Sequence, residues 1–589
     1  MRSSWPPLRL LFLCGLSALL PLCKKRRIRA SGCLFLRKGG RGEERGTERR
    51  RYRKRDEEMN MAISPIWPAD TARNSNGELT FHGITASTLL DEFGSPLYVL
   101  DLDEVRARAS HFVKAAAHAF TNNTTHVSYA AKAFLSKEMA RIVTEEGMFV
   151  DTCTLGEMKI ALAAGVPGRR LVLHGNNKSD EEIELAIAEG FSKIVIDSPD
   201  EPARIAAIAE RLGKRARVML RVTSGIHAGG HEYVSTAHED QKFGVALLPA
   251  GADTEIVDNI DQLQDVSPAA TNALVHETEL ERGGETKQQA DRQLRYDVRY
   301  PYDLNAADVT EGDRLLAAAM ELVANGPAIA VLREIAKYGN LELVGVHSHI
   351  GSNIHDAEAF IQAAKRMMLL RKTFYATNAY TLPEVDLGGG YSVAYTDDED
   401  RMDVDRELGR LADAVSKTNR LLGMPAPIIS FEPGRWIVAP AGVTLYRVGT
   451  VKTVQLGDGF TNNAGERIRE RAYISVDGGM SDNIRPALYD AKYTAILANR
   501  ESAEPAKLSR VVGIHCESGD IVVNEANLPA DVHRGDILAV PVTGAYGRSM
   551  ASNYNMALIP AVVGIDGHGA HVMMRRQTID DLLALDVSE

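Results

Sequence analysis

Cysteine is scarce in this chain. Five stand in 589 residues, and three of them (Cys14, Cys23, Cys33) fall within the first 58. Cys153 and Cys516 are left for the body, which excludes a disulfide framework and makes reducing cytoplasm the expected compartment. Long apolar runs are also lacking. Leu10 to Cys23 spans 14 residues, too short for a bilayer, which needs about 20. It resembles the apolar stretch of a signal peptide, yet Lys24-Lys25-Arg26-Arg27 follows where a small-x-small cleavage site belongs. Basic charge is missing from the body: the chain carries −11 overall, the first 58 residues +11 and the remainder −22. An acidic body argues against nucleic acid as the main partner, and no membrane partner is expected. Residues 1–58, with their low-complexity basic tract from Arg37 to Arg55, cannot form a core. They are expected to be a non-globular leader, upstream of a start at Met59 or Met61.

From residue 126 onward, short β-branched or apolar runs alternate with amphipathic stretches such as Asp180–Ala188, Pro202–Leu212 and Ala357–Phe374. The strands read as 126–131, 148–151, 171–174, 193–197, 217–222, 343–349, 384–387 and 428–431. Eight βα units in succession predict an α/β fold with a closed, TIM-like (β/α)8 barrel. The open doubly wound sheet is the competing arrangement, and no Gly-rich dinucleotide fingerprint follows the first strand to support it. Beyond about residue 443 strands and turns dominate, which predicts a second, all-β domain of sandwich or Greek-key barrel type. The expected organisation is 59–102 as N-terminal strands joining that β domain, 103–442 as the barrel, and 443–589 as the β domain proper. A polar stretch at about 249–312 lacks periodicity and reads as a surface insertion, a lid or an interface element.

Polar residues recur just after the strands: Lys132, Asp151, His174, Arg221, His349, Gly388-Gly389-Gly390 and Glu432-Pro433-Gly434-Arg435. In a barrel these positions share the C-terminal mouth, where active sites are built. Lys132 ends an apolar strand, where an ammonium is costly to desolvate. A lysine of lowered pKa can attack a carbonyl as a free amine, so Schiff-base chemistry is expected of it. The glycines, with Gly351-Ser352, let backbone N–H groups close on an anion such as phosphate. Glu432 supplies a carboxylate that can keep a pyridine nitrogen protonated, as an electron-sink cofactor requires. Arg435 on the same turn suits a phosphate. His349 can stack a flat imidazole on such a ring. Arg485 and Tyr489, four apart and on one face if helical, suit a substrate carboxylate. Cys516 offers an acid and Glu517 a second carboxylate. His227 and His231 stand four apart with no third ligand at recognisable spacing, so no metal is expected.

Several ordered motifs resemble one family: Tyr129-Ala130-x-Lys132-Ala133, His174-Gly175-Asn176-Asn177-Lys178, His347-x-His349-Ile350-Gly351-Ser352, Glu432–Arg435, Asp477–Tyr489, Cys516–Asp520, and Gly544-Ala545-Tyr546 leading to Ser552-Asn553-Tyr554-Asn555. From about residue 75 to 585 the chain is similar to the diaminopimelate decarboxylases, fold-type III pyridoxal 5'-phosphate enzymes related to ornithine and arginine decarboxylases. The resemblance implies that Lys132 carries the cofactor, His349 stacks on its ring and Glu432 pairs with the ring nitrogen. It implies that Ser352, Gly390 and the turn Glu432, Pro433, Gly434, Arg435 hold the phosphate, with Tyr546 closing on the cofactor. Arg435, Arg485 and Tyr489 would grip the carboxylate at the substrate's non-reacting end, Glu517 the distal amine, and Cys516 would be the proton donor. Cys516 and Glu517 would reach the partner subunit's mouth, implying a homodimer with shared sites. The implied activity is decarboxylation of meso-2,6-diaminopimelate to L-lysine, the last step of lysine biosynthesis. Ornithine decarboxylases lack the Arg-Pro-x-x-Tyr arrangement, which favours this substrate over ornithine, lysine or arginine. A non-catalytic relative would lack Lys132 or Cys516, and both are present. One departure is local: after Asp151 the usual Ser-Gly-Gly-Glu appears as Thr154-Leu155-Gly156-Glu157.

Overall fold

A computed structural model of the chain describes residues 63–226, 240–268, 270–272, 274–279, 294–299 and 308–588. The expected leader, His227 and His231 lie outside these residues. Eight parallel strands form the barrel: β1 (Thr125–Ala130), β2 (Phe149–Thr152), β3 (Leu171–Leu173), β4 (Lys193–Ile196), β5 (Ala216–Thr223), β6 (Leu341–His347), β7 (Glu384–Asp386) and β8 (Ile428–Phe431). Each pairs with the next, and β8 closes onto β1 through Ile429 opposite Thr125. Strands covered on both faces need apolar residues without alternation, and Leu171, Val172, Leu173, Ile194, Val195 and Ile196 are all buried. Several helices between them start on side-chain caps. Ser136, Thr154, Ser179 and Asp403 each accept a backbone N–H of the following first turn, satisfying donors the helix itself cannot pair.

The lumen holds charge. Lys193 Nζ of β4 reaches across to β7, lying 2.5 Å from Glu384 Oε1 and 3.0 Å from Asp386 Oδ2. Away from water such a cation persists only with partners of this kind; despite burial, the two carboxylates push its pKa above the ordinary value.

The β domain is built on a bifurcated strand. Gly442–Gln455 pairs along its first part with Leu97–Asp101 and Ile537–Pro541, and along its second with Glu470–Val476. Of the N-terminal strands expected here, only Leu97–Asp101 joins this sheet. Leu79–Phe81 instead forms a three-stranded sheet with Thr71–Arg73 and Ile84–Thr85.

The segment with no readable periodicity does lie between β5 and its helices. It contains a short helix, Glu255–Asp258, and a hairpin of Leu274–Glu279 with Leu294–Arg299. Its described residues cover helix Glu358–Asn378, which is buried along most of its length. Lys365 contacts Asp261 at 2.8 Å, Arg366 contacts Asp258 at 2.6 Å, and Lys372 donates to the Thr271 carbonyl. Among the described residues no single helix is long and apolar enough to cross a membrane.

Candidate active site

β1 runs into a single 3-10 turn, Ala131–Ala133, which carries Lys132. Ala131 and Ala133 are buried, whereas the Lys132 side chain is exposed in a cleft at the barrel mouth. A desolvated ammonium was the expectation, and the structure corrects it. The flanking alanines anchor the backbone inside, while the long side chain projects into open space. The turn is fastened from two directions. Ala130 N–H donates to the Pro433 carbonyl at 3.3 Å, and the Ala133 carbonyl accepts from Tyr546 N (2.9 Å) and Ser549 Oγ (3.0 Å). Gly434 permits the close approach, since a Cβ there would stand 2.9 Å from the Ala130 Cβ and 3.1 Å from that of Ala133.

The cleft opens to solvent and is lined by Lys132, Asp151, His174, Arg221, His349 and Glu432. Opposite Lys132, Glu432 lies between two imidazoles. Its Oε2 is 3.2 Å from His347 Nε2 in a hydrogen bond, and its Oε1 is 3.0 Å from His174 Nε2, close enough to pair but not aligned as a hydrogen bond. Burial alone would raise this carboxyl, yet His347 and His174 hold it well below the usual carboxylate range. His174, against its own burial, is pushed up to about 9 by Glu432 and Asp151. Asp151, 3.8 Å from His174 Nε2, is pushed up to about 7 by burial and the neighbouring Glu432. His174, His347 and Glu432 present ligand atoms within 4.8 Å of one another, a spacing a metal could use. Imidazole–carboxylate pairing accounts for the spacing without one.

His349 lies two residues beyond the end of β6. Its Nδ1 accepts the Gly389 N–H at 3.1 Å, so that nitrogen carries a lone pair. Burial, with Lys132 and Arg221 nearby, pushes its pKa well below the ordinary value and leaves a neutral ring. Gly388 and Gly390 have φ of +70° and +118°, conformations open to glycine and strained for other residues. A Cβ on Gly390 would also meet the Gly351 carbonyl oxygen at 2.5 Å. Ser352 Oγ accepts from Arg435 Nη2 at 2.8 Å, so Ser352, the glycines and Arg435 converge.

Arg435 and Arg485 meet around a set of tyrosines. Arg485 opens the short helix Arg485–Tyr489, which puts Arg485 and Tyr489 in the helical arrangement expected of them. The rings against Arg485, however, are Tyr395 and Tyr493. Tyr546 places its ring 4.8 Å from the Arg435 guanidinium carbon. Cys516 and Glu517 are exposed on a β-domain loop and do not line the Lys132 cleft of their own chain. Residues that sequence reasoning left without a role are His174, His347, Asp151 and Arg221, all flagged by place or motif, and Tyr395, Tyr493, Cys153 and Glu157, which no motif singled out for the site.

The barrel matches the family model described as pyridoxal-dependent decarboxylase, pyridoxal binding domain, over residues 102–267 and 323–439. Together with a lysine at the mouth of a closed barrel, this defines a pyridoxal-dependent decarboxylase. The chain is 38% identical over 531 residues to a diaminopimelate decarboxylase of Corynebacterium efficiens, covering 90% of this chain and 96% of that one. It is 33% identical over 515 residues to the Bacillus subtilis enzyme of that name, covering 87% and 96%. A solved Helicobacter pylori diaminopimelate decarboxylase complexed with L-lysine superposes with a TM-score of 0.62 at 26% identity, covering 85% of this chain and 98% of that one. The chain belongs to the diaminopimelate decarboxylase family.

The site suits the cofactor. At the mouth both Asp151 carboxylate oxygens are buried without a hydrogen-bond partner. Polar groups left this way are costly unless a ligand satisfies them. Glu432 offers an acceptor for a ring nitrogen, the glycine turns offer amides for a phosphate, and Lys132 offers an amine for an aldehyde.

Proposed function

We propose that this protein decarboxylates meso-2,6-diaminopimelate, releasing CO2 and L-lysine, the closing step of lysine biosynthesis. The observation that carries the substrate is the pair Arg435 and Arg485. Both are buried, and the side-chain hydrogen bonds they make among the described residues go to the neutral groups Tyr395, Ser352 and Tyr493. Two guanidiniums kept from water require an anion, and a second substrate carboxylate supplies it.

Lys132 would hold the cofactor through its side-chain amine. Pyridoxal phosphate, when bound, absorbs the electron pair left behind as CO2 departs. Glu432, kept anionic by His347 and His174, presents an acceptor that keeps a proton on the ring nitrogen. His349, neutral and flat, would stack on the cofactor ring without adding charge. Ser352, Gly390 and the Glu432-Pro433-Gly434-Arg435 turn hold the phosphate, and Tyr546 closes beside them. Arg435, Arg485 and Tyr489 orient the non-reacting end so that the other carboxylate faces the ring. Cys516 Sγ donates the proton that replaces CO2, and Glu517 receives the distal ammonium. Since both are exposed on a loop away from their own cleft, they act at the partner subunit's mouth, in a homodimer with shared sites. The two body cysteines form no disulfide, which supports the cytoplasm as its compartment.

The test is CO2 release from meso-diaminopimelate against lysine, ornithine and arginine. Bound as substrates, with their one carboxylate at the reacting end, these three leave the buried arginines unpaired, so preference for meso-diaminopimelate by about 10^4-fold is expected. Preference for any of the three overturns the substrate assignment.

A further inference from the structure

Arg435 follows β8, whereas Arg485 comes from the β domain, and what links them is neutral. Tyr395 sits on the loop after β7 and touches both. Its hydroxyl accepts from Arg435 Nη1, while its ring face lies 4.4 Å from the Arg485 guanidinium carbon. Tyr493 completes the set: its hydroxyl accepts from Arg485 Nη1, and its ring stands edge-on to Tyr395 at 5.3 Å and 76°. All four side chains are buried. The Nε of each arginine has no hydrogen-bond partner, so donor capacity remains.

A carboxylate in place of either phenol would orient the guanidinium better, but it would also neutralise the charge and compete with an incoming anion. A phenol orients without neutralising, through one accepted hydrogen bond and the negative face of the ring. Burial pushes the Tyr493 hydroxyl up to about 12, which keeps it uncharged at neutral pH. Because Tyr395 contacts one arginine by its edge and the other by its face, displacement of either is transmitted to both.

We propose that Tyr395 and Tyr493 are specificity-determining positioning residues that hold Arg435 and Arg485 as one receptor for the carboxylate at the substrate's non-reacting end. This rests on the substrate assignment above. The competing account is that the two rings merely fill space between barrel and β domain.

Tyr395→Phe in the holoenzyme separates these accounts, since it keeps the ring and removes only the hydroxyl. The KM for meso-diaminopimelate is expected to rise about tenfold, the loss of one hydrogen bond to a charged group, with kcat within twofold and the visible absorbance of the bound cofactor unchanged. Inhibition by L-lysine, which has a carboxylate, should weaken by the same factor. Inhibition by cadaverine, which has none, should not move. Equal weakening for lysine and cadaverine, or an unchanged KM, overturns the assignment. If Tyr395→Phe loses the cofactor absorbance through misfolding, Tyr493→Phe decides by the same pattern. A wild-type enzyme that prefers a substrate without a distal carboxylate sinks the substrate assignment and this proposal together. Preference for meso-diaminopimelate with lysine and cadaverine affected alike removes only the role given to the tyrosines.

Discussion

Replacing His174 by Gln should make the cofactor-free protein lose a stability increment that depends on pH. His174 is held at about 9 against an ordinary 6.5 by the carboxylates of Glu432 and Asp151. A group whose folded pKa is raised stabilises the fold fully below its unfolded value, and the contribution fades as pH rises through the folded value. The gap of about 2.5 pH units corresponds to about 3 kcal/mol, at about 1.4 kcal/mol per unit. His174→Gln keeps a polar side chain that cannot be charged. Urea unfolding of both proteins from pH 6 to pH 10 should therefore show a large difference at the acid end that shrinks by up to about 3 kcal/mol, mainly between pH 6.5 and 9. Repeating the pair on an Asp151→Asn background removes that carboxyl's own titration near 7. A difference that stays constant across the range would refute the ion-pair account of the His174–Glu432 contact.

Lys178 donates to the Gly175 carbonyl at 2.7 Å and to Glu201 at 2.9 Å and 3.1 Å, with no side-chain exposure. Lys178→Met should cost about 3–5 kcal/mol by stranding a buried carboxylate, and Lys178→Met/Glu201→Leu should recover much of it; chemical denaturation checks both. Gly434→Ala forces a methyl against Ala130 and Ala133, so it should lower cofactor affinity, read by absorbance titration, more than it lowers the unfolding midpoint. Lys132→Ala should abolish the bound-cofactor absorbance and turnover, whereas Cys516→Ala should keep the absorbance and slow turnover. Mixing these two inactive or slow proteins should restore activity through mixed dimers, and failure to complement argues against shared sites.

Much of the barrel was readable because its strands are runs such as Leu171-Val172-Leu173 and Lys193-Ile194-Val195-Ile196, too apolar and too short for anything but a doubly covered sheet. Motif residues at the strand ends, Lys132, His349 and Glu432 among them, do converge on one cleft. The exposure of Lys132 was not readable, because the openness of a cleft depends on loops far away in the chain. Nor were Tyr395 and Tyr493, which stand 98 positions apart and meet only because a barrel loop and a β-domain loop fold together. Insertion strands Leu274–Glu279 and Leu294–Arg299 form a two-stranded sheet of their own, and their runs are rich in charged residues, which hid them as strands. Helix Glu358–Asn378 was readable as an amphipathic stretch, but the burial of Lys365, Arg366 and Lys372 on it was not, since their partners are supplied by that same insertion.

The hydrogen bonds that Tyr546 and Ser549 direct to the Ala133 carbonyl bear on how such an enzyme can be divided. Lys132 belongs by sequence to the barrel, but the far side of its turn is latched by a loop some 400 residues downstream. A barrel expressed by itself would possess the lysine, the acid and the glycine turns, and would still present the amine on an unlatched hinge. The two domains therefore form one inheritance unit: a recombination point between them would separate the reactive group from the latch that aims it.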